Sequence, residues 1–203
     1  LSYLVSMGFL QGFYGKPRVD LALLRQHSEG LIALSACLAG EIPRRLRAGD
    51  YDGAKAYALE LSGIFGPEHF YLELQDHGIP EQREVNRGLL RIAQETGLPL
   101  VATNDAHYLT REDSELQDVL LCIQTGKTLD DPNRMRFETQ EFYLKSEDEM
   151  RALFPALPEA LENTQRIADR CKVEFEFNHY HLPAFTPPDG SDSLTYFRRM
   201  CDE

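Results

Sequence analysis

The sequence has no apolar run long enough to cross a bilayer, no Cys-x-x-Cys pair, no Gly-x-Ser-x-Gly elbow and no Gly-x-Gly-x-x-Gly fingerprint. Each absence removes a class. Without about 18 consecutive apolar residues there is no transmembrane helix. The opening "LSYLVSMGFLQGFYGKPR" has no basic n-region and no small-residue cleavage site, so it is not read as a signal peptide. Cys37, Cys122, Cys171 and Cys201 lie too far apart for a zinc ribbon or a thioredoxin-like motif. The expectation is reduced thiols in a cytoplasmic protein. Positive charge is also short: 21 Lys and Arg stand against 33 Asp and Glu, for a net charge of −12. Such a surface repels phosphate backbones on average, which argues against broad nucleic-acid binding by this stretch alone. The arginines of "EIPRRLRAG" (Arg44, Arg45, Arg47) read as one solvated helix face. There is no initiating Met, and "SLTYFRRMCDE" stops inside a helical pattern. Both ends read as cuts, so the chain is expected to be a piece of something longer.

What is present is an alternation of short β-rich runs with longer helical patterns. "LIALSA" (31–36), "FYLELQ" (70–75), "LPLVAT" (98–103) and "EFYLKS" (141–146) read as strands. Between them, "DLALLRQHSEG" places Leu21, Leu23 and Leu24 on a helix. "DYDGAKAYALELSGIFG" starts at a capping Asp50 or Asp52 and ends at Gly66-Pro67. "PEQREVNRGLLRIAQETG" runs from Pro80 in its first turn to Gly97. "REDSELQDVLLCIQTG" is another amphipathic helix with acidic residues in its first turn, and "LPEALENTQRIADRCK" is a last one. This pattern predicts an α/β architecture with parallel strands. About four strands are too few to close a barrel, so further strands are expected upstream. After residue 174 the texture turns aromatic and Pro-rich, as in a linker towards a next domain.

Ligand sites in parallel α/β folds lie at the carboxyl ends of strands. Asp105 and His107, in "LVATNDAHYLT", fall just past the third strand. Alternate side chains point the same way, so the D-x-H pair can face one point. A carboxylate oxygen with an imidazole nitrogen suits Zn²⁺, Mn²⁺ or Fe²⁺. The plainer reading is an Asp capping its loop beside a satisfied His. Cys37 follows the first strand, where its thiolate could join them; alone it reads as a small buried hydrophobe. His77 lies past the second strand and could line the same cleft, though a loop His at a helix entry is the blander account. "QTGKTL" lacks the first Gly of a P-loop and a preceding strand, and "HYH" (179–181) sits in the Pro-rich exit. Neither is read as a site. No paired-carboxylate polymerase centre is visible.

Four stretches carry a family resemblance: "GFYGKPRVDLALLRQHSEGLIALSACLAGEIPRRL", "YLELQDHGIPEQREVN", "LVATNDAHYLTREDSELQDVLLCIQTGKTLDD" and "RFETQEFYLKSEDEM". Taken in this order they resemble the PHP (polymerase and histidinol phosphatase) domain of bacterial replicative C-family polymerases, the DNA polymerase III alpha subunits. The resemblance implies a distorted (βα)7 barrel whose strand ends hold divalent ions. This chain would supply the C-terminal two-thirds of that domain, residues 1–174, with its first strands missing. Residues 175–203 would be the linker and the start of the polymerase palm. The late ligands of the family, a Cys or His and then an Asp-x-His pair, match Cys37, Asp105 and His107. The early ligands belong upstream of Leu1. The implied parent extends a primer on DNA with deoxynucleoside triphosphates and Mg²⁺, using palm carboxylates outside this chain. The PHP site would take Zn²⁺ or Mn²⁺ for 3′–5′ exonuclease or phosphoesterase chemistry. Alternatively the domain is a non-catalytic scaffold for a separate proofreading subunit, or a stand-alone PHP phosphatase. A sliding clamp is a further expected partner, and a membrane is not.

Overall fold

The structure is a computed structural model that describes residues 1–180 and 182–203. The predicted strands and helices alternate as expected in the first 102 residues. Helix α1 (Ser2–Leu10) leads into a two-residue hairpin, β1 (Phe13–Tyr14) and β2 (Lys16–Pro17), which turns at Gly15 with φ +69°. Helix α2 (Leu21–Gln26) follows, its first turn held by the Asp20 carboxylate accepting from Leu23 N at 2.8 Å. Strand β3 (Ala33–Leu34) is followed by α3 (Glu41–Arg47) and α4 (Tyr51–Phe65). Strand β4 (Phe70–Leu74), α5 (Pro80–Thr96) and β5 (Leu100–Ala102) complete the pattern. The three strands form a parallel sheet in the order β3-β4-β5, with Ala33 opposite Phe70 and Leu72 opposite Leu100. The chain is thus mixed α/β, consistent with part of a PHP barrel.

The local signals explain where the helices stop. Asp50 caps α4 by accepting from Gly53 N at 2.9 Å, and Gly66 with φ +93° ends it. Pro80 occupies the first turn of α5, where it has no backbone N–H to lose, and Gly97 closes the helix in the left-handed region. Along α5 the fully or nearly buried Val85, Leu89 and Ile92 recur at helical spacing. They pack with Phe70, Leu72 and Leu74 of the central strand and with Ala54 and Ala58 of α4. Both faces of β4 are covered, so its residues are buried and apolar except the half-buried Glu73.

Two strand expectations change. "LIALSA" pairs only over Ala33–Leu34, because Ala36 adopts φ +66° and turns the chain away. "EFYLKS" is not a strand. It makes a single parallel bridge, Tyr108 to Tyr143, and acts as a strap across the exit of β5. Its Phe142 carbonyl accepts from His107 N at 2.7 Å, and its Tyr143 carbonyl accepts from the Asn104 amide at 2.8 Å. Backbone groups engaged in this way cannot also extend the sheet.

A 3₁₀ turn (Arg111–Asp113) leads into α6 (Ser114–Thr125), which Gly126 ends in the left-handed region. Helix α7 (Glu147–Leu153) begins in a capping box between Ser146 and Glu149. Helix α8 (Pro158–Arg170) lies along β5, where the Asn163 amide donates to Leu100 O at 2.7 Å. Leu1–Cys171 form one compact unit. Lys172–Glu203 form a second, in which Asp192 caps α9 (Ser193–Asp202) and Asp189 pairs with Arg199 at 2.6 Å. His181 of the "HYH" stretch lies outside the described residues. Among the described residues no helix is long and apolar enough to cross a membrane.

Candidate metal centre

The four singled-out residues follow three adjacent parallel strands: Cys37 after β3, His77 after β4, and Asp105 with His107 after β5. Side-chain hydrogen bonds tie the strand ends together. Ser35 Oγ accepts from Glu73 N at 2.8 Å, and the Thr103 hydroxyl donates to the Glu73 carboxylate. The exits of β3, β4 and β5 are therefore held as one rim.

Asp105 and His107 are brought together as their spacing suggests. His107 Nε2 lies 3.1 Å from Asp105 Oδ1, and both side chains are partly exposed. The backbone fixes their loop: Ala106 N donates to Asn104 O at 2.9 Å, and the 142–143 strap holds both ends. His107 also rests against Phe137, ring centroids 4.7 Å apart, and meets Phe142 edge-on at 5.8 Å. One oxygen and one nitrogen thus converge, and this donor pair fits two coordination positions of a divalent ion. Cys37 does not complete a group. It is exposed, on the turn that follows Ala36, and its carbonyl accepts from Gly40 N at 2.8 Å. Among the described residues no group of three or more His, Cys, Asp or Glu side chains is placed to hold a metal ion.

His77 does lie in the loop that enters α5, but it does not face water. It is 1 % exposed and stacks on Phe142 at 4.3 Å with an interplanar angle of 4°. Gln82 fixes its tautomer. The Gln82 Oε1 accepts from His77 N at 2.7 Å, which turns the amide nitrogen towards His77 Nδ1 at 3.0 Å. Nδ1 therefore accepts, and the ring proton sits on Nε2. Neither nitrogen offers a free lone pair, so His77 serves as a neutral support rather than a ligand. Burial, with the Lys145 charge adding to it, pushes its pKa below the ordinary value; the carboxylates of Asp105 and Asp76 oppose this.

This burial has a pH consequence. A histidine kept neutral in the fold confers stability that is present above its unfolded pKa, near about 6.5, and is lost as pH falls below it. The unfolded chain then binds a proton that the folded chain does not. Urea unfolding from about pH 7.5 to about pH 5.5 should show up to about 1.4 kcal/mol of loss per pH unit. His77→Phe, which keeps the stack and removes the titration, should flatten that slope. Equal slopes in both proteins would assign the loss elsewhere.

Lys145 and Tyr143 were not foreseen. The Lys145 side chain is 3 % exposed, with Nζ 4.2 Å from the Tyr143 ring centroid and donating to Glu141 O. Burial pushes its pKa down, against the opposing pull of Glu141. Tyr143 OH donates to Glu149 at 2.6 Å, a bond that with the Ser146 cap holds the Glu149 carboxyl at about 2. These contacts anchor the strap to α7. The only sequence signal for them was the Ser146-x-x-Glu149 capping box.

Residues 1–77 match the profile of the PHP domain. The DNA polymerase III subunit alpha of Treponema pallidum is 46% identical over 199 residues, which is 98% of this chain and 17% of that protein. The chain matches the PHP domain of DNA polymerase III alpha subunits. The Thermus aquaticus subunit is 44% identical over 203 residues, 97% of this chain and 17% of its own length. The Borreliella burgdorferi subunit is 51% identical over 168 residues, 83% of this chain and 15% of its own length. The chain thus spans about one-sixth of the curated relatives it matches. These matches reach nearly the whole chain, so they extend past the 1–77 PHP profile into the region of Asp105 and His107.

Proposed function

We propose that the chain is part of the catalytic alpha subunit of a bacterial replicative DNA polymerase in the cytoplasm, and that its PHP portion hydrolyses phosphodiesters. The observation that carries the first half is identity of 40–51% to subunits of that name. The parent would extend primers on template DNA from deoxynucleoside triphosphates with Mg²⁺, through carboxylates outside this stretch. The second half rests on the Asp105–His107 pair at a strand exit.

Asp105 and His107 would hold the PHP ion, Zn²⁺ or Mn²⁺, with Cys37 contributing only if its turn moves. Such an ion supplies Lewis-acid chemistry, stabilising charge on the non-bridging oxygens of a phosphodiester. The chain's own contribution is orientation. Asn104 and the Phe142 carbonyl fix the loop, while Phe137 and Phe142 limit the His107 ring. That chemistry suits 3′–5′ exonuclease action on a primer end.

A second reading, a PHP scaffold that binds a separate proofreading subunit and leaves clamp binding to other regions, is favoured by the net charge of −12. That charge is poor for holding DNA. A stand-alone phosphatase is less well supported, because the matched relatives are several times longer than the chain. One experiment separates the readings. In the full-length subunit, Asp105→Asn with His107→Asn should leave primer extension intact and lower intrinsic exonuclease rate by about 100-fold or more. An unchanged exonuclease rate would leave the scaffold reading.

A further inference from the structure

A cleft of about 260 Å³ opens beside the Asp105–His107 pair, between the first turns of α6 and the segment 134–140. Tyr108, the residue after His107, forms one wall. Phe137, whose ring centroid lies 4.7 Å from that of His107, forms another. Phe142 pins both: Phe137 packs on its ring at 4.4 Å, and its N–H donates to the Tyr108 hydroxyl at 3.3 Å. The aromatic walls are therefore set before anything binds. Among the charged lining residues, Arg134 is committed to Asp118 at 2.6 Å. The exposed Arg136 shares the rest of the lining with two exposed carboxylates, Glu115 and Glu138, which leaves the cleft net negative by one charge. Ser114 Oγ and Asp118 Oδ1, on two of the lining residues, are shielded from solvent and have no hydrogen-bond partner among the described residues. Polar groups left in that state call for a partner.

We propose that this cleft binds a nucleobase, that of the nucleotide whose phosphodiester is cleaved beside it. This rests on the reading that the PHP portion hydrolyses phosphodiesters, and it names the part of the substrate that the chain recognises next to the metal centre. Three features select a base. The two aromatic walls offer π-faces on which any base can stack. The volume falls below the roughly 300–1,000 Å³ of sites for drug-sized ligands, so it suits one ring system rather than a longer stretch of strand. The net negative lining repels a phosphate, whereas the carboxylates, Arg136 and the Gln140 amide supply acceptors and donors for the polar edge of an uncharged ring. Phosphate recognition is left to the adjoining metal centre, so base and phosphate are read by separate groups.

The test is photolabelling of the purified full-length subunit with deoxyadenosine monophosphate carrying an azide on its purine ring, with no primer or triphosphate present. Label should fall within residues 108–118 or 134–140, which carry the cleft lining. Unmodified deoxyadenosine monophosphate and deoxyadenosine should both compete, and inorganic phosphate at the same concentration should not. Phe137→Leu, which keeps an apolar contact with His107 but removes the π-face, should lower the yield by about tenfold. Gln140→Trp, which fills the cleft from its exposed edge and leaves the Phe142 ring cluster alone, should lower it similarly. Label only outside these segments, no label, competition by phosphate, or a yield indifferent to either variant would overturn the proposal. Labelling needs no hydrolysis, so the two readings fail separately. Label in a subunit that lacks exonuclease activity upholds the base site and defeats the hydrolytic reading, whereas exonuclease activity without label defeats only the base site.

Discussion

Phe142→Ala should lower the unfolding free energy by about 3–5 kcal/mol. The side chain is 6 % exposed and is the meeting point of three rings: His77 stacked at 4.3 Å, Phe137 at 4.4 Å and His107 edge-on at 5.8 Å. Truncation leaves a cavity that the fixed His77–Gln82 pair cannot close, because both His77 N and Nδ1 are held by that glutamine. It also removes the wall against which His107 rests, although the 2.7 Å bond from His107 N to the residue-142 carbonyl survives. Urea unfolding followed by circular dichroism measures the loss, and the imidazole signals of His107 report the loosening. A loss below about 1 kcal/mol would mean that the strap carries little of the stability of the rim.

Gly40→Val should cost about 2–3 kcal/mol or displace the Cys37 turn. Gly40 has φ −65°, so its backbone makes no special demand; the constraint is space. A Cβ there would lie 2.6 Å from the Ser35 carbonyl oxygen and 3.1 Å from both the Cys37 oxygen and the Ala36 Cβ. Two of these neighbours are backbone atoms and cannot swing aside. Because Ser35 also accepts from Glu73 N, a shift would pass into the central strand. Thermal unfolding and the rate of Cys37 alkylation check this, and a variant with wild-type values for both would contradict the packing described.

These two sites also mark the limit of what the sequence discloses. The punctuation of α4 and α5 by Asp50, Gly66, Pro80 and Gly97 is local chemistry, and so is the apolar run of β4; all were legible. The D-x-H pair was legible because it sits immediately past β5. The fate of "EFYLKS" was not, since alternating aromatic and apolar residues serve a buried strap as well as a strand. What decides between them is the demand of Asn104 and His107 for carbonyl partners, which no local pattern shows. The hairpin at Phe13–Pro17 is too short for any periodicity. Cys37 follows a strand as a ligand should, but Ala36 in the left-handed region, rare for a residue with a Cβ, sets where it points. His77 is a loop residue at a helix entry, as it reads, but its burial was not legible, because its partners are Gln82 on the next helix and Phe142 far along the chain.

The central claim is that Asp105 and His107 form part of a PHP metal site. Elemental analysis of the full-length subunit, with and without Asp105→Asn plus His107→Asn, tests it most directly. The account predicts Zn or Mn bound to the wild type and lost from the double variant, with primer extension retained in both. Equal metal content in the two proteins, or none in the wild type, would contradict it.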